Sequence, residues 1–279
     1  MRIGGPLFDE YRTPREWAAT VTGLGYSAAH CPAVEDDSDE TIRRWVRTAK
    51  EADTVIAEVG AWGNNPISPD DEVRRAGIEG CCRRLHLADR IGANCCVNVS
   101  GSRGDEWAGP DDANLTEDTF ALIVDSVREI IDTVEPARTY YTLETMPWLY
   151  PDSVQSYARL IKAIDRERFA VHLDPVNLIN CPDRYYNSGA LIEECFATLG
   201  PYIKSCHAKD IILEHGLTLH MSECRPGRGN LDWSTYIRKL GRLGDDIPLM
   251  IEHLAGPEDY RIAAAHIRNV AQVEGVAVI

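Results

Sequence analysis

Four residues of the types that bind divalent cations stand near the ends of predicted strands: Glu144, Asp174, His207 and Glu252. The first two intervals between them are close to the roughly 30 residues that one strand–helix unit of a parallel barrel needs, and the third is longer. Side chains one such unit apart return to the same height on neighbouring strands, so the four would surround a single point. Three carboxylates and one imidazole form an oxygen-rich ligand set. Such a set suits a divalent metal ion, with Mn²⁺ favoured over Mg²⁺ and Co²⁺.

Residues at other strand ends suit a polyhydroxylated substrate. Aromatic faces stack on the C–H faces of a sugar while carboxamides bond its hydroxyl groups. On this basis we predict substrate contacts from Trp62, Asn98 and Trp148. Arg103 is a further candidate, because it brings a fixed positive charge on a Gly/Ser loop and leaves a phosphorylated substrate open.

The segment that follows His207 contains more polar residues. Lys209 and Asp210 are interpreted as loop residues or as groups that orient the metal ligands. Residues 211–228 make this unit longer than the others and either fold over the site or form a plain surface hairpin. If the segment folds over the site, two of its residues are predicted to contact substrate, His220 and Arg225.

A regular alternation of strands and helices positions these residues. The predicted strands cover residues 1–5, 26–31, 54–59, 95–99, 140–144, 169–174, 203–210 and 249–252. The predicted helices begin at Thr13-Pro14, at 38, at Ser68-Pro69, at 116, at 151, at 188, at 232 and at 257. Capping residues and amphipathic spacing indicate most of the helix starts, and Gly25 and Gly92 indicate two of the ends.

This alternation predicts an α/β fold, a single-domain (β/α)8 TIM barrel over residues 1–279. No linker or low-complexity segment interrupts the series. A doubly wound open sheet is the alternative architecture. It would usually carry a glycine-rich phosphate turn after the first strand, and Gly4-Gly5-Pro6 does not have that pattern.

Composition restricts the partners and the compartment. The net charge of −15 repels phosphate backbones, so we expect no nucleic-acid partner. We also expect no membrane association, because no apolar run approaches the roughly 20 residues that span a bilayer. The nine cysteines are scattered without a C-x-x-C pair, which is typical of reduced thiols in a cytoplasmic protein. We expect a homo-oligomer, either a dimer or a tetramer.

Five short motifs resemble those of the xylose isomerase-like TIM barrels, often labelled sugar phosphate isomerases/epimerases. They are Leu143-Glu144, Leu173-Asp174-Pro175, His207-Ala208-Lys209-Asp210, the run from Gly227 to Trp233, and Ile251-Glu252. That group includes tagatose/psicose 3-epimerases, hydroxypyruvate isomerase, inosose dehydratase and endonuclease IV. The resemblance covers the whole chain and is strongest over residues 139–255.

The resemblance implies that Glu144, Asp174, His207 and Glu252 are the metal ligands and that the two glutamates also act as an acid/base pair. It implies a divalent-metal-dependent isomerase or epimerase of a keto-sugar or related polyol in carbohydrate metabolism. Removing a proton beside a carbonyl needs a base and stabilisation of the enediolate oxygen, and a second carboxylate can return the proton. The expected intermediate is a metal-stabilised cis-enediolate.

One departure from the family pattern keeps other reactions open. Keto-sugar epimerases have a histidine three residues after the strand-six aspartate, where this chain has Asn177, which we predict to contact substrate. A lyase of the inosose dehydratase type therefore remains the alternative, since it would expel a β-hydroxyl from a similar intermediate. A phosphodiester hydrolase like endonuclease IV is a more distant alternative, because it needs additional histidine ligands and a basic face. His172, two residues before Asp174, is interpreted as a core residue.

Overall fold

A computed structural model describes residues 1–279 and contains ten strands and nine helices. The strands are β1 (Arg2–Gly4), β2 (Ala28–His30), β3 (Val55–Gly60), β4 (Cys95–Asn98), β5 (Tyr141–Glu144), β6 (Phe169–Leu173), β7 (Ile203–Ala208), β8 (Asp210–Glu214), β9 (His220–Cys224) and β10 (Pro248–Ile251). All except β8 and β9 pair in parallel and close into a barrel, in which β10 lies between β7 and β1. The predicted (β/α)8 TIM barrel is confirmed.

The helices surround the barrel. They are α1 (Pro14–Gly23), α2 (Asp39–Glu51), α3 (Asp71–Ile91), α4 (Glu117–Val134), α5 (Val154–Ile164), α6 (Pro182–Tyr186), α7 (Ser188–Leu199), α8 (Trp233–Leu240) and α9 (Pro257–Val273). The short α6 is additional to the predicted series. Helix α3 begins later than predicted because the Asp70 carboxylate, rather than Ser68, accepts the backbone N–H groups of the first turn.

The apolar faces of the helices and strands form the hydrophobic core. The larger of two clusters holds 62 buried hydrophobic residues, and the smaller consists of Ala28, Ala57 and Met250 on barrel strands. Trp17 on α1 and Tyr157 on α5 are among the largest fully buried members of the larger cluster. Tyr157 also donates its hydroxyl hydrogen bond to a β-strand carbonyl, so the helix is fixed to the sheet by more than packing. None of the helices is long and apolar enough to cross a membrane.

The region after β7 differs from the predicted strand over residues 203–210. Strand β7 ends at Ala208, and β8 begins at Asp210 and pairs antiparallel with β9. Strands β8 and β9 form a hairpin that projects from the carboxyl end of the barrel. The chain must change direction at Lys209, and that residue therefore lies at the junction between the barrel and the hairpin.

Asp210 joins the two ends of the hairpin insertion to the barrel. Its carboxylate accepts hydrogen bonds from the backbone N–H groups of Gly227 and Leu231 and from the indole N–H of Trp233. Gly229 lies so close to Asp210 that an added Cβ would overlap a carboxylate oxygen. Close packing against Asp210 therefore explains the glycine at 229, whereas Gly227 has a φ of 88° and an added Cβ there would meet the His266 ring.

Candidate metal centre and cavity

The four predicted metal ligands meet at the carboxyl end of the barrel. Glu144 is the last residue of β5, Asp174 and Glu252 directly follow β6 and β10, and His207 lies in β7. These four strands are consecutive neighbours in the barrel. One potential ligand atom from each residue lies within 4.8 Å of the others. His207 Nδ1 is 2.8 Å from Glu252 Oε1 and 3.1 Å from Glu144 Oε1.

Lys209 brings a positive charge into the same cluster. Its ammonium nitrogen is 2.9 Å from Asp174 Oδ2 and 2.7 Å from Glu252 Oε1. The sequence interpretation places Lys209 outside the ligand set, yet it lies two residues after His207 and so faces the same side of the chain. That spacing is a usable signal for its position. The ammonium is almost fully buried and partly neutralises the carboxylates.

The ionisation of the cluster reflects burial opposed by charge pairing. Burial by itself would raise the pKa of Glu144, but the charge and hydrogen bond of His207 hold that pKa below its ordinary value. For Asp174 burial is the largest effect and leaves the pKa raised, despite the charge of Lys209. Burial would lower the pKa of His207, but the neighbouring glutamates raise it well above its ordinary value. The carboxylates thus require cationic partners.

The donor set fits a divalent metal ion. The buried oxygens Asp174 Oδ2 and Glu252 Oε1 accept no hydrogen bond of good geometry, although Lys209 lies beside both. These oxygen atoms are ion-paired with Lys209 but carry no well-aligned hydrogen bond, so they retain lone pairs that can coordinate an ion. With a neutral His207, three carboxylates, one ammonium and one dication have no net charge, which lowers the cost of burying the carboxylates. The residues support a divalent cation as cofactor.

A second buried carboxylate lies below the ligands. Glu58 in β3 is 3.3 Å from His207 Nε2 and 2.9 Å from His172 Nε2, and Ser205 donates its hydroxyl to the same carboxylate. His172 is fully buried and packs edge-on against His207, in agreement with its interpretation as a core residue. When His207 Nε2–H donates to Glu58, the neutral ring directs its Nδ1 lone pair toward the point that the four ligand residues surround. Glu58 therefore orients the one nitrogen ligand.

Replacing Glu58 with glutamine is expected to weaken divalent metal binding by about 10–100-fold, the usual effect of losing such an orienting carboxylate. The Mn²⁺ dissociation constant, measured by calorimetric titration of the metal-free protein, tests this. Ser205→Ala is the matched control, because it removes a partner of Glu58 and leaves the His207 contact in place. Unchanged Mn²⁺ affinity in folded Glu58→Gln protein would contradict the role.

A cavity of about 730 Å³ opens directly above the ligand cluster. Glu144, Lys209 and Glu252 lie at its floor, and three tryptophans are among the residues that line it: Trp62, Trp107 and Trp148. Trp107 was missed by sequence reasoning because it lies in a loop without periodicity. Trp148 donates its indole N–H to the carbonyl of Ala108, which joins the two loops that carry these rings.

Three of the residues predicted to contact substrate line this cavity: Trp62, Trp148 and Asn177. Asn177 donates hydrogen bonds from its side-chain amide to Glu144 Oε1 and to the Thr145 carbonyl. Its amide oxygen is 3.3 Å from the Lys209 ammonium. Asn177 therefore holds two cavity groups in position, while its role toward substrate stays a prediction.

Asn98 and Arg103 lie away from the cavity. Asn98 is fully buried and donates to the Asn64 carbonyl and to the Cys81 sulfur, so its amide supports the core around β4. Arg103 donates to the Ile67 carbonyl and does not reach the cavity wall. The role of Arg103 toward a phosphorylated substrate stays a prediction.

His220 and Arg225 also do not line the cavity. On β9 it is Met221 and Glu223 that face the cavity, and His220, one residue out of phase, is exposed. Arg225 instead pairs with Asp259, with Nε 3.2 Å from a carboxylate oxygen. The segment therefore forms a hairpin that also covers the site. The residues of β9 that face the cavity are Met221 and Glu223, which alternate with the predicted His220.

Comparison with known proteins identifies the family. The profile of the family described as xylose isomerase-like TIM barrel matches residues 18–270. The chain belongs to this family. No curated protein sequence is significantly similar to it. The match to the family profile confirms the resemblance inferred from the motifs.

Solved structures of xylose isomerase-like barrels share the fold at low identity. A 3-keto-D-glucoside 4-epimerase from E. coli is 16% identical, with a TM-score of 0.66 over 96% of this chain and 98% of that one. A Mycobacterium smegmatis barrel in complex with magnesium is 18% identical, with a TM-score of 0.64 over 94% and 89%. Endonuclease IV from Thermus thermophilus is 13% identical, with a TM-score of 0.74 over 98% and 100%. The first and the third of these structures carry the names of different enzymes, so the fold alone does not give the activity.

Proposed function

We propose that the protein is a divalent-metal-dependent isomerase or epimerase of a keto-sugar or a related polyol. The observation that carries the proposal is the pair Glu144 and Glu252, whose Oε1 atoms both lie within 3.1 Å of His207 Nδ1 and at the floor of one cavity. Two carboxylates on either side of one bound carbon can remove a proton and return one. The epimerase relative acts on a keto-glucoside, which agrees with such chemistry.

The residues of the chain divide the reaction between them. One of the two glutamates takes the proton from the carbon beside the carbonyl, and the other delivers a proton to the opposite face. Asn177 holds Glu144 in place through its amide hydrogen bond. The Lys209 ammonium, at the cavity floor, donates to oxygen atoms on which negative charge develops. A bound divalent ion, for which Mn²⁺ is our first candidate, would polarise the substrate carbonyl.

A lyase is the second candidate, and Lys209 is the observation that favours it. A dehydratase must stabilise a departing hydroxyl group, and the ammonium of Lys209 can do so by donating a hydrogen bond within the cavity. It keeps its proton, because burial is outweighed by the charges of Asp174, Glu144 and Glu252, which raise the pKa of Lys209. The side-chain amide of Asn177 cannot give up a proton to the departing hydroxyl group, whereas a histidine imidazole at this position could. The same glutamate would remove the proton in both reactions, so the two candidates differ only in the second step.

Incubation of Mn²⁺-loaded protein with a panel of keto-hexoses, keto-polyols and keto-glucosides in D₂O tests the proposal. We expect deuterium to enter the carbon beside the carbonyl, together with the appearance of an epimer or isomer in the proton NMR spectrum. Loss of water, detected by mass, would assign the lyase reaction instead. Abasic-site DNA serves as the negative control substrate. Absence of any change across the panel with Mn²⁺, Mg²⁺ or Co²⁺ bound would overturn the proposal.

A further inference from the structure

The residues that line the cavity above the metal ligands differ between its floor and its rim. Glu144 and Lys209, at the floor, are buried, whereas Trp62 and Trp148 line the same cavity and are exposed. On β9, Glu223 contacts Lys209 and Met221 also lines the cavity. Buried polar groups thus form the floor, and the outer part combines exposed apolar side chains with two exposed polar residues, Asn180 and His253.

The outer part is larger than a free sugar requires. The cavity volume of about 730 Å³ lies in the upper half of the roughly 300–1,000 Å³ that ligand cavities span. A hexose has only about a dozen non-hydrogen atoms, so it would leave most of the apolar wall in contact with water. A substrate that fills the cavity must carry a second group beyond its sugar ring.

The apolar residues of the outer part remain exposed without a ligand. Trp62 is 44% exposed, Trp148 is 40% exposed and Leu219 is 47% exposed, and all three line this one cavity. Trp148 already donates its indole N–H to Ala108, so this ring offers its face and little hydrogen bonding. A second sugar would find polar partners at Asn180 and His253, but its hydroxyl groups that lie against Trp148 and Leu219 would have none, which is costly when they lose water. A flat apolar group would bury the rings without that cost.

We propose that the substrate is a glycoside whose sugar ring carries the keto group and whose aglycone is a flat aromatic group. The sugar sits on the floor formed by Glu144, Lys209 and Glu252. The aglycone lies against Trp62, Trp148 and the outer hairpin residues Met221 and Leu219. This rests on the proposed function for the identity of the floor, and it adds the class of the group that occupies the outer cavity.

Binding of unreactive glycosides separates this inference from the reaction itself. Calorimetry on the Mn²⁺-loaded protein would compare phenyl with methyl β-D-glucosides and β-D-galactosides, with cellobiose as the disaccharide probe. We expect the better phenyl glycoside to bind at least about 10-fold more tightly than its methyl counterpart, as burial of one aromatic ring allows. Trp62→Ala and Leu219→Ser should each reduce that preference by several-fold. Tyr186→Ala, an exposed aromatic residue outside the cavity, should leave it unchanged.

Three results would overturn the inference. They are equal binding of phenyl and methyl glycosides, a phenyl preference that persists in both cavity variants, and tighter binding of cellobiose than of every phenyl glycoside. Failure of all aryl glycosides to bind would have the same meaning. These readouts do not depend on turnover, so a protein that epimerises simple keto-sugars could still fail them. Conversely, a phenyl preference could be found even if the reaction proved to be different.

Discussion

Glutamine in place of Glu144 or of Glu252 is expected to lower turnover by about 10²–10⁴-fold, the usual contribution of general acid/base catalysis. Each substitution keeps a carbonyl oxygen that can still contact a metal ion and removes the group that accepts a proton. Metal should therefore be retained at least in part. Steady-state kinetics on the substrate found in the panel, together with elemental analysis of the same samples, measures both quantities.

Glu223→Gln is the matched control for these two variants. Glu223 also lines the cavity and contacts Lys209, but it belongs to the hairpin and is not one of the four clustered ligands. Its substitution should change turnover far less than either of the others. Near-native turnover of both Glu144→Gln and Glu252→Gln with metal bound would show that another group carries the proton.

The second large effect is expected from His207→Ala, which should abolish divalent metal binding or weaken it severely. His207 supplies the one nitrogen ligand, and its removal leaves Glu58, Glu144 and Glu252 without the imidazole that lies between them. The carboxylates then repel each other, and their protonation becomes more favourable. Elemental analysis after dialysis measures the occupancy, and circular dichroism verifies the fold.

His86→Ala provides the control for a general effect of losing a histidine. His86 lies on the exposed face of α3, away from the barrel mouth. The metal content of this variant should equal that of the native protein. Full metal occupancy in His207→Ala would refute the assignment of the ligand cluster.

The ligand cluster was predictable because it depends on the repeat of the fold. Glu144, Asp174 and His207 are spaced by about one strand–helix unit, and a parallel barrel returns such residues to one level. It was harder to predict which residues of a strand face the cavity. His220 and Met221 are neighbours in sequence, and the pairing of β9 with β8 determines which of them faces the cavity.

Groups in contact with the ligands were also hard to assign from sequence. A charged residue within an apolar strand, such as Glu58, signals a buried polar network but does not name its partners. Its contacts with His172 and His207 come from strands distant in the chain. Asn98 illustrates the opposite error, since the amide N–H groups of a polar residue at a strand end can donate within the core.

The Lys209 ammonium among the carboxylates has a consequence for the order of assembly. Lys209 neutralises part of the carboxylate charge before any ion is bound, so the folding of the barrel depends less on an external ion. Folding and metal loading can then occur as separate events, with the ion entering a finished barrel through its open mouth. The chain could accordingly be produced without metal and afterwards supplied with one chosen ion at a time, so that each ion is compared on an identical protein.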